Sequence, residues 1–425
     1  MTLLVAGVVV FVNATGDDNG GGASDGGGNE GGQPVNAAES QWRTEPKPDG
    51  GGAFVSAVDS GQVWVADEVV VLLTGSGVWG FDRDSGEELW KLAGPEGTDV
   101  LPCSASWDVN AQGVGAVLYP PADDQAEEPN CTVLAAVDTT TGEVMWRKDL
   151  TKPGDDGVGE LGGAVNATVG DEVITASLEE RFHRFSIEDG EELPLPEVSP
   201  SPCPGESPGM SNIGELVVLH HDCYADDEDG RDRITAFDAD TLQTLWSSPV
   251  EPDLDLHPRA SDPLAFSVEG YWPERDSWLR MYDDAGEVSG DIPEGSDSLD
   301  GPFVTDSLVT MLAQGSDPEQ RLARGFDPQT GARLWETELP PQARLLGESG
   351  EEPVVIYHEE IADRLDDAHV AWLNPADGTL TDDIVLPRHS RCCTAFVQDV
   401  AWTDDTLYVV DSRTGDVRLE AVARR

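Results

Sequence analysis

Residues 136–146 read AVDTTTGEVMW, and the same pattern returns along the chain as GFDRDSGEELW at 80–90, AFDADTLQTLW at 236–246 and GFDPQTGARLW at 325–335. Asp accepts hydrogen bonds from the backbone of its own turn, and Gly adopts positive φ at no steric cost. The motif therefore predicts a β-hairpin whose outgoing strand carries the Trp. The residues that define the four clear copies are Asp82, Gly86, Trp90, Asp138, Gly142, Trp146, Asp238, Trp246, Asp327, Gly331 and Trp335.

Weaker copies of the motif surround Gly190, Gly286, Gly378 and Gly415. Successive copies are on average about 49 residues apart, within the range of propeller repeats. Two further apolar runs precede each hairpin, as 63–66 and 69–73 do before Asp82. Each unit therefore supplies four strands, and the fold predicted is an all-β propeller of four-stranded antiparallel blades.

The number of blades depends on the two ends of the chain. Gly415 comes early, so we place it between the second and third strands of a final blade that lacks an outer strand. The segment 40–45, SQWRTE, carries a Trp and can supply that strand from the N-terminus. Such closure removes open sheet edges. We expect eight blades; seven is the alternative, because the fifth and eighth copies are weak.

The full pattern at 136–146 resembles the tryptophan-docking repeat of pyrroloquinoline-quinone (PQQ)-like β-propellers, and the resemblance extends from about residue 41 to the end. That superfamily, which is similar to WD40-type propellers in architecture, contains quinoprotein dehydrogenases and non-enzymatic outer-membrane assembly scaffolds. Here Leu242 replaces a motif Gly, and the residues listed next stand where Trp is expected: Pro194, Gly290, Asp382 and Leu419. The resemblance implies the fold and predicts uneven blades.

The N-terminal region differs in composition from the propeller repeats. Residues 3–12 are ten unbroken apolar residues, too short to span a bilayer as a helix. Residues 16–40 are rich in Gly and acidic residues, which is typical of a flexible tether. We interpret 1–15 as the remnant of a signal or membrane anchor, 16–40 as a tether and 41–425 as one propeller domain. This layout predicts an extracytoplasmic protein, membrane-anchored or secreted, whose only membrane contact is its N-terminus.

Six cysteines favour the same compartment. An even number at two hairpin-scale spacings suits structural disulfides outside the cytoplasm, and the alternative is six reduced, buried thiols. The adjacent Cys392 and Cys393 can form a vicinal disulfide or remain two separate cysteines. By analogy with quinoprotein alcohol dehydrogenases, they can also cover a cofactor. The candidate disulfide residues are Cys103, Cys131, Cys203, Cys223, Cys392 and Cys393.

The charge of the chain restricts its partners. It has 83 Asp and Glu against 25 Lys and Arg, a net charge of −58. Such a polyanion repels nucleic acid and anionic lipid, so we expect neither as a partner. The acidity suits either a high-salt habitat or a cation-rich cell wall.

No sequence signature of a catalytic, cofactor or metal site stands out. His220 and His221 are adjacent, so a strand points them to opposite faces, and residues 225–230 lack the first Asp of a calcium loop. The site residues predicted are therefore structural. We expect a non-catalytic scaffold or binding module for an envelope or secreted protein, with no cofactor and with unknown oligomeric state. The alternative is a PQQ-dependent, calcium-requiring oxidoreductase of alcohols or sugars.

Overall fold

A computed structural model describes most of the chain from residue 40 onward, and every regular element in it is a β-strand. The described residues are 40–48, 62–92, 94, 101–121, 131–151, 166–178, 181–195, 209–213, 216–221, 232–251, 254–261, 263–270, 277–293, 298–317, 320–341, 343–349, 352–360, 365–386, 396–403, 405–413 and 416–423. None of these residues forms a helix that is long and apolar enough to cross a membrane.

The first half of the propeller consists of four sheets whose strands follow one another in chain order. Blade 1 contains β3 (Gln62–Val65), β4 (Val69–Thr74), β5 (Gly77–Asp82) and β6 (Glu88–Leu92). Blade 2 contains β7 (Ser104–Ala105), β8 (Val114–Tyr119), β9 (Val133–Asp138) and β10 (Glu143–Asp149). Blade 3 contains β11 (Asn166–Val169), β12 (Val173–Leu178) and β13 (Arg181–Ser186). Blade 4 contains β14 (Gly209–Ile213), β15 (Leu216–His221), β16 (Arg233–Asp238) and β17 (Thr244–Pro249).

The second half repeats this arrangement until the last sheet, which is built from both ends of the domain. Blade 5 contains β18 (Leu254–Ser261), β19 (Leu264–Gly270), β20 (Trp278–Tyr282) and β21 (Val288–Pro293). Blade 6 contains β22 (Ser298–Val304), β23 (Val309–Gln314), β24 (Arg321–Phe326) and β25 (Arg333–Leu339). Blade 7 contains β26 (Arg344–Ser349), β27 (Glu352–Glu360), β28 (Leu365–Leu373) and β29 (Leu380–Val385). Blade 8 contains β30 (Phe396–Trp402), β31 (Thr406–Arg413), β32 (Asp416–Ala423), β1 (Ser40–Arg43) and the short β2 (Lys47–Pro48).

The eight sheets confirm the predicted eight-bladed propeller, and the N-terminal strand closes it. β1 pairs antiparallel with β32, with Trp42 opposite Ala421 and Arg43 opposite Glu420. The strands on either side of Gly415 are β31 and β32, the second and third strands of their blade, as predicted. Closure pairs the outer edge of β32, which otherwise offers unpaired N–H and C=O groups for aggregation.

Strand position within a blade explains the sequence of each strand. The second strands β4 and β8 are buried at every position, and they read as continuous apolar runs, VVVLLT and VGAVLY. The fourth strand β6 is mostly exposed and reads ELWKL. The first strands lie against one another around the axis, β3 beside β30 and β18 beside β22. They therefore border the central channel, and the fourth strands form the outer rim.

The hydrophobic core lies between the blades rather than at one centre. Separate clusters of buried side chains fill the interfaces of blades 1 and 2, 2 and 3, 3 and 4, 4 and 5, 5 and 6, and 6 and 7. A larger cluster joins blades 7, 8 and 1 across the closure, and it includes Trp42, Trp372 and Trp402. The ring is therefore stabilised by face-to-face packing of neighbouring sheets.

Blade 3 departs from the predicted four strands. Its described part contains three strands, and the place of the fourth is reduced to a single bridge between Phe185 and Glu192. Pro194 follows two residues later, at the position where the motif has Trp. Over the described residues, the outer strand of this blade is shorter than those of blades 1 and 2.

Candidate functional site

The turn between the third and fourth strands has the same geometry in each clear repeat. In blade 2, the N–H groups of Thr140 and Gly142 donate to the side-chain and backbone oxygens of Asp138, both at 2.8 Å. Gly142 has φ 71°, in the left-handed region where Gly carries no steric penalty. Hydrogen bonds from Ser85 lower the pKa of Asp82, and those from Thr330 lower the pKa of Asp327. These turns are therefore rigid and carry ionised carboxylates.

Each motif Trp packs on the turn of the following blade. The Nε1–H of Trp90 donates to the carbonyl of Thr139 at 3.0 Å, and that of Trp146 donates to Ile187 at 2.9 Å. The Trp335 indole donates to Pro375 at 2.8 Å. A Cβ built on Gly142 would lie 2.4 Å from the Trp90 ring, so the ring occupies the space that only a Gly leaves.

The same contact closes the ring at its two ends. Trp42 of β1 donates to the Arg83 carbonyl at 2.8 Å, and a Cβ on Gly86 would lie 2.5 Å from its ring. Trp246 lies over Gly286 in the same way. Five junctions are therefore closed by Trp: those that follow blades 1, 2, 4, 6 and 8.

A small residue on the third strand and a β-bulge on the fourth make room for each of these rings. The bulge lies just before the Trp, so that Gly80 pairs with Trp90 while Phe81 pairs with Glu88. A bulge of this kind re-aims the side chain that follows it. The small residues opposite the five Trp are Gly80, Ala136, Ala236, Gly325 and Ala421.

At the three remaining junctions, which follow blades 3, 5 and 7, the large side chain lies on strand 3 and not on strand 4. In blade 5 the residue opposite Gly290 is Met281, and in blade 7 the residue opposite Thr381 is Trp372. Both Met281 and Trp372 are fully buried. In blade 3, Arg184 occupies the equivalent place on the third strand and donates to the backbone carbonyl of Asp240 in blade 4. Where strand 4 lacks the Trp, strand 3 carries the large side chain.

At the junction of blades 3 and 4, Leu242 helps to fill the space of the missing Trp. It has φ 52° and is 2% exposed, within a cluster with Phe182 and Phe237. No Trp arrives here from blade 3, so the Leu side chain occupies the space that an indole fills elsewhere. The Thr175 hydroxyl donates to the Ala239 carbonyl at 2.6 Å, a bond that an indole N–H makes at the Trp junctions.

In blades 3, 5 and 7, whose fourth strand lacks the motif Trp, ionisable pairs join strand 3 to residues that follow the turn. Arg280 donates to both carboxylate oxygens of Asp291, at 2.8 and 2.9 Å, and this bidentate bond raises its pKa. His369 lies with its Nδ1 3.0 Å from Asp383 and its ring stacked on Tyr357. The Nδ1 of His183 is 3.4 Å from Glu192. These pairs stabilise the outer part of each blade.

One end of the propeller gathers the strand 3–4 turns and the strand 1–2 loops, because alternate connections of an antiparallel sheet lie at the same end; we call it the turn face. Every described connection of the turn face longer than a single residue carries a carboxylate except the turn 139–142 of blade 2, which Asp138 and Glu143 flank; in these connections Arg83 is the only Lys or Arg. The exposed carboxylates nearest the channel include those of Asp67, Glu68, Asp171 and Glu172. The turn face therefore presents a strongly negative surface on a rigid frame.

Trp107 lies in the turn-face loop 106–113 between β7 and β8 of blade 2. Its side chain is 72% exposed, the most exposed large hydrophobic residue among those described. The loop backbone is nevertheless fixed: Gln62 Nε2 donates to the carbonyls of Ser106 and Trp107 at 2.9 and 3.0 Å, and Trp64 Nε1 donates to Ser106 at 3.0 Å. Burial raises the pKa of the adjacent Asp108 to about 6.

The repeat pattern does not single out Trp107, which lies outside the motif. Its one signal is an aromatic residue within a short polar segment, SWDVNAQG, that joins two strands. An aromatic residue in a loop is consistent with either burial or exposure, so the sequence alone does not select it.

The cysteines are only partly described. Cys103 and Cys131 form a disulfide with an S–S distance of 2.07 Å, which links the start of the first strand of blade 2 to the start of the third. The other four candidate residues, Cys203, Cys223, Cys392 and Cys393, lie outside the described residues, as do 1–39.

The described channel side offers a poor site for PQQ. This cofactor is a tricarboxylate and requires convergent cationic groups, yet the described first strands carry only Arg259 in blade 5 and Arg344 in blade 7. Arg259 already donates to the Ser267 hydroxyl at 2.8 Å. In the same part of the chain, no group of three or more His, Cys, Asp or Glu is arranged to hold a metal ion.

Comparison with known proteins agrees with the repeat pattern. Residues 130–288, from blade 2 into blade 5, match a family model of PQQ-type repeats described as "Outer membrane protein assembly factor BamB". This part of the chain therefore matches PQQ-like β-propeller repeats, in agreement with the Trp motif. No curated protein matches the chain by sequence.

Similar folds occur among solved structures at low sequence identity. BamB from Moraxella catarrhalis is 13% identical, with a TM-score of 0.50 over 89% of this chain and 99% of that protein. The C-terminal WD40 domain of Sif2 is 11% identical, with a TM-score of 0.53 over 92% of this chain and 99% of that domain. These similarities extend to the fold alone.

Proposed function

We propose that this protein is a non-catalytic, extracytoplasmic binding module that holds a protein partner against its turn face. The observation that carries the proposal is the combination of a rigid closed ring with the predominantly negative charge of the described turn-face connections. A surface of this kind steers an oppositely charged partner and orients it. The match to an assembly-factor family model supports a scaffold rather than an enzyme.

The extracytoplasmic location is proposed from the chain itself. The apolar segment 3–12, the acidic Gly-rich segment 16–40 and the disulfide between Cys103 and Cys131 all fit export. Alkaline phosphatase fused after Arg425 tests this proposal, because the phosphatase is active only after export. An inactive but intact fusion would overturn the proposed location.

Site-specific photo-crosslinking tests the binding module on two matched positions of blade 6. Gln329 is exposed in a turn of the turn face, and Ser316 is exposed in the β23–β24 loop at the other end. A photo-reactive residue at Gln329 should capture a partner in envelope extracts at native salt, and one at Ser316 should not. Equal capture from both positions, or from neither, would contradict the proposed face.

We propose further that the protein acts without a bound cofactor. PQQ with Ca²⁺ should then leave the melting temperature unchanged and should produce no dye-linked oxidation of alcohols or sugars. A raised melting temperature together with oxidation would establish the oxidoreductase instead, because a ligand that binds the native state stabilises it by mass action.

A further inference from the structure

The loop 106–113 is held between two neighbouring loops that carry pairs of exposed carboxylates. On one side Asn110 Nδ2 donates to the Gly170 carbonyl at 2.9 Å, and Asp171 and Glu172 follow directly. On the other side a Cβ on Gly113 would lie 4.0 Å from Ala66, the residue before Asp67 and Glu68. The loop that carries Trp107 is therefore held between two acidic pairs, one from blade 1 and one from blade 3.

The loop presents its indole without the usual freedom of a surface loop. Asn110 Oδ1 accepts from the N–H groups of Gln112 and Val114 at 3.1 and 2.9 Å, and the Ser106 hydroxyl donates to the Asp108 carbonyl at 2.6 Å. The loop 106–113 therefore loses little conformational entropy when a partner binds. Under this condition one aromatic side chain contributes most to the binding free energy.

The chemistry around Trp107 selects a cationic protein segment. An Arg guanidinium stacks on an indole face and at the same time donates to carboxylates, so that one side chain satisfies both features of this site. Nucleic acid and anionic lipid would be repelled by the flanking carboxylates. A small quaternary ammonium ligand usually requires several aromatic walls, and Trp107 is the one exposed aromatic residue of the described turn-face connections.

We propose that Trp107 is the principal contact for an Arg-bearing segment of the protein partner, which stacks on its indole between the two acidic pairs. This inference rests on the proposed function and specifies the chemistry of the partner. It also assigns the position of the contact, at the channel-side edge of blade 2 on the turn face.

Binding of a defined probe peptide tests the inference directly. A fluorescein-labelled peptide RGRGRGRG is titrated with the full chain in 0.1 M NaCl, with EGEGEGEG as the charge control. We expect wild type to bind only the Arg peptide and Trp107→Ala to weaken that binding about 5- to 30-fold. Leu334→Ala removes another exposed apolar side chain, 52% exposed on the outer rim, and should change the affinity less than about twofold.

The salt dependence distinguishes the carboxylates from the indole. Binding should weaken in 1 M NaCl, where charges are screened beyond about 3 Å, and the pair Asp171→Asn and Glu172→Gln should reduce that salt dependence. Trp107→Phe should retain part of the affinity, because a smaller aromatic face remains. Unchanged melting temperatures of the variants would show that the fold is intact.

Two results would overturn the inference. One is a wild-type chain that fails to bind the Arg peptide, and the other is a folded Trp107→Ala chain that binds it as tightly as wild type. If a partner is still captured from Gln329 in either case, the proposed function stands and only the role of Trp107 is wrong. If no partner is captured from Gln329, the proposed function itself fails, whatever the peptide does.

Discussion

The junctions on either side of blade 3 close the same gap in opposite ways. Before it, Trp146 of blade 2 is 8% exposed, packs 5.5 Å from the Phe185 ring and donates to the turn of blade 3. After it, no Trp reaches blade 4, and Arg184 and the buried Leu242 fill the space. The comparison shows that the volume at a junction, and a hydrogen bond to a turn carbonyl, can come from either strand 3 or strand 4.

The same exchange occurs twice more around the ring. Met281 and Trp372 stand on strand 3 where the Trp-closed junctions have Gly or Ala. Because protein interiors are close-packed, a lost indole must be replaced by comparable volume nearby or leave a cavity. The four positions without the motif Trp are therefore compensated locally or, for Leu419, by Trp42 of the N-terminal strand.

The largest expected effect comes from removing a ring at a Trp-closed junction. Trp146→Ala deletes a buried indole and leaves the Ile187 carbonyl without its donor, so we expect a loss of about 3–5 kcal/mol in the free energy of unfolding. Pro194→Ala occupies the corresponding place in blade 3, where volume comes from strand 3, and should change stability by less than about 0.5 kcal/mol. Guanidinium denaturation of both variants measures the difference. Similar losses for both would break the comparison.

A smaller effect is expected where a Gly faces the indole. Gly142→Ala places a methyl group against the Trp90 ring at a left-handed φ. Gly113→Ala has the same kind of φ, 76°, but its Cβ meets no ring: its nearest neighbour is the Thr139 hydroxyl, at 3.0 Å. We expect Gly113→Ala to lower the free energy of unfolding by about 1–2 kcal/mol through backbone strain alone. Gly142→Ala should lower it by roughly 1–3 kcal/mol more, because the added methyl group displaces the ring. If thermal unfolding shows equal losses of stability for the two variants, the Trp90 ring moves aside at no energetic cost and the expectation is wrong.

The ion pair of blade 5 should respond to salt in a way that the indoles do not. Arg280→Gln removes the bidentate bond to Asp291, whose side chain is 43% exposed, and we expect a loss of about 1–2 kcal/mol in 0.1 M NaCl. Arg324→Gln removes the more exposed bond to Glu336 in the Trp-closed blade 6 and should lower the stability less. The Arg280 loss should shrink in 1 M NaCl, whereas that of Trp146→Ala should not. A salt-independent Arg280 loss would indicate packing rather than charge.

The repeat and its count could be predicted from sequence because the signal is local. Asp82, Gly86 and Trp90 lie within nine residues, and the same offsets recur, so the hairpin and the blade follow from short-range chemistry. The N-terminal closure followed from Trp42 and the early position of Gly415. The compensation by Arg184, Met281 and Trp372 did not follow, because it depends on cross-strand register across a bulge, which a single sequence does not display.

The candidate site was less predictable than the fold. Leu242 was a mere departure from the motif in the sequence, and only the structure shows that its side chain is buried where an indole is absent. The exposure of Trp107 likewise depends on Gln62 and Trp64 of another blade, which fix the loop from 42 to 45 residues away. Contacts at that separation are set by the blade-to-blade packing and not by local pattern.

The smallest expected effect is the pH dependence of stability that Asp383 of blade 7 contributes. Burial alone would raise the pKa of Asp383, but hydrogen bonds from His369 and Tyr357 outweigh it and leave the pKa below its ordinary value. A lowered folded-state pKa contributes stability above the unfolded value, near 3.9, and that contribution is lost as the pH falls through the folded value. Asp383→Asn should therefore lower the melting temperature slightly at pH 7. The corresponding loss in the free energy of unfolding should be less than about 1 kcal/mol, because this group is half exposed. The difference from wild type should narrow below pH 4. A difference that stays constant from pH 7 to pH 3 would show that Asp383 acts through its shape rather than its charge, as the indoles do at the other junctions.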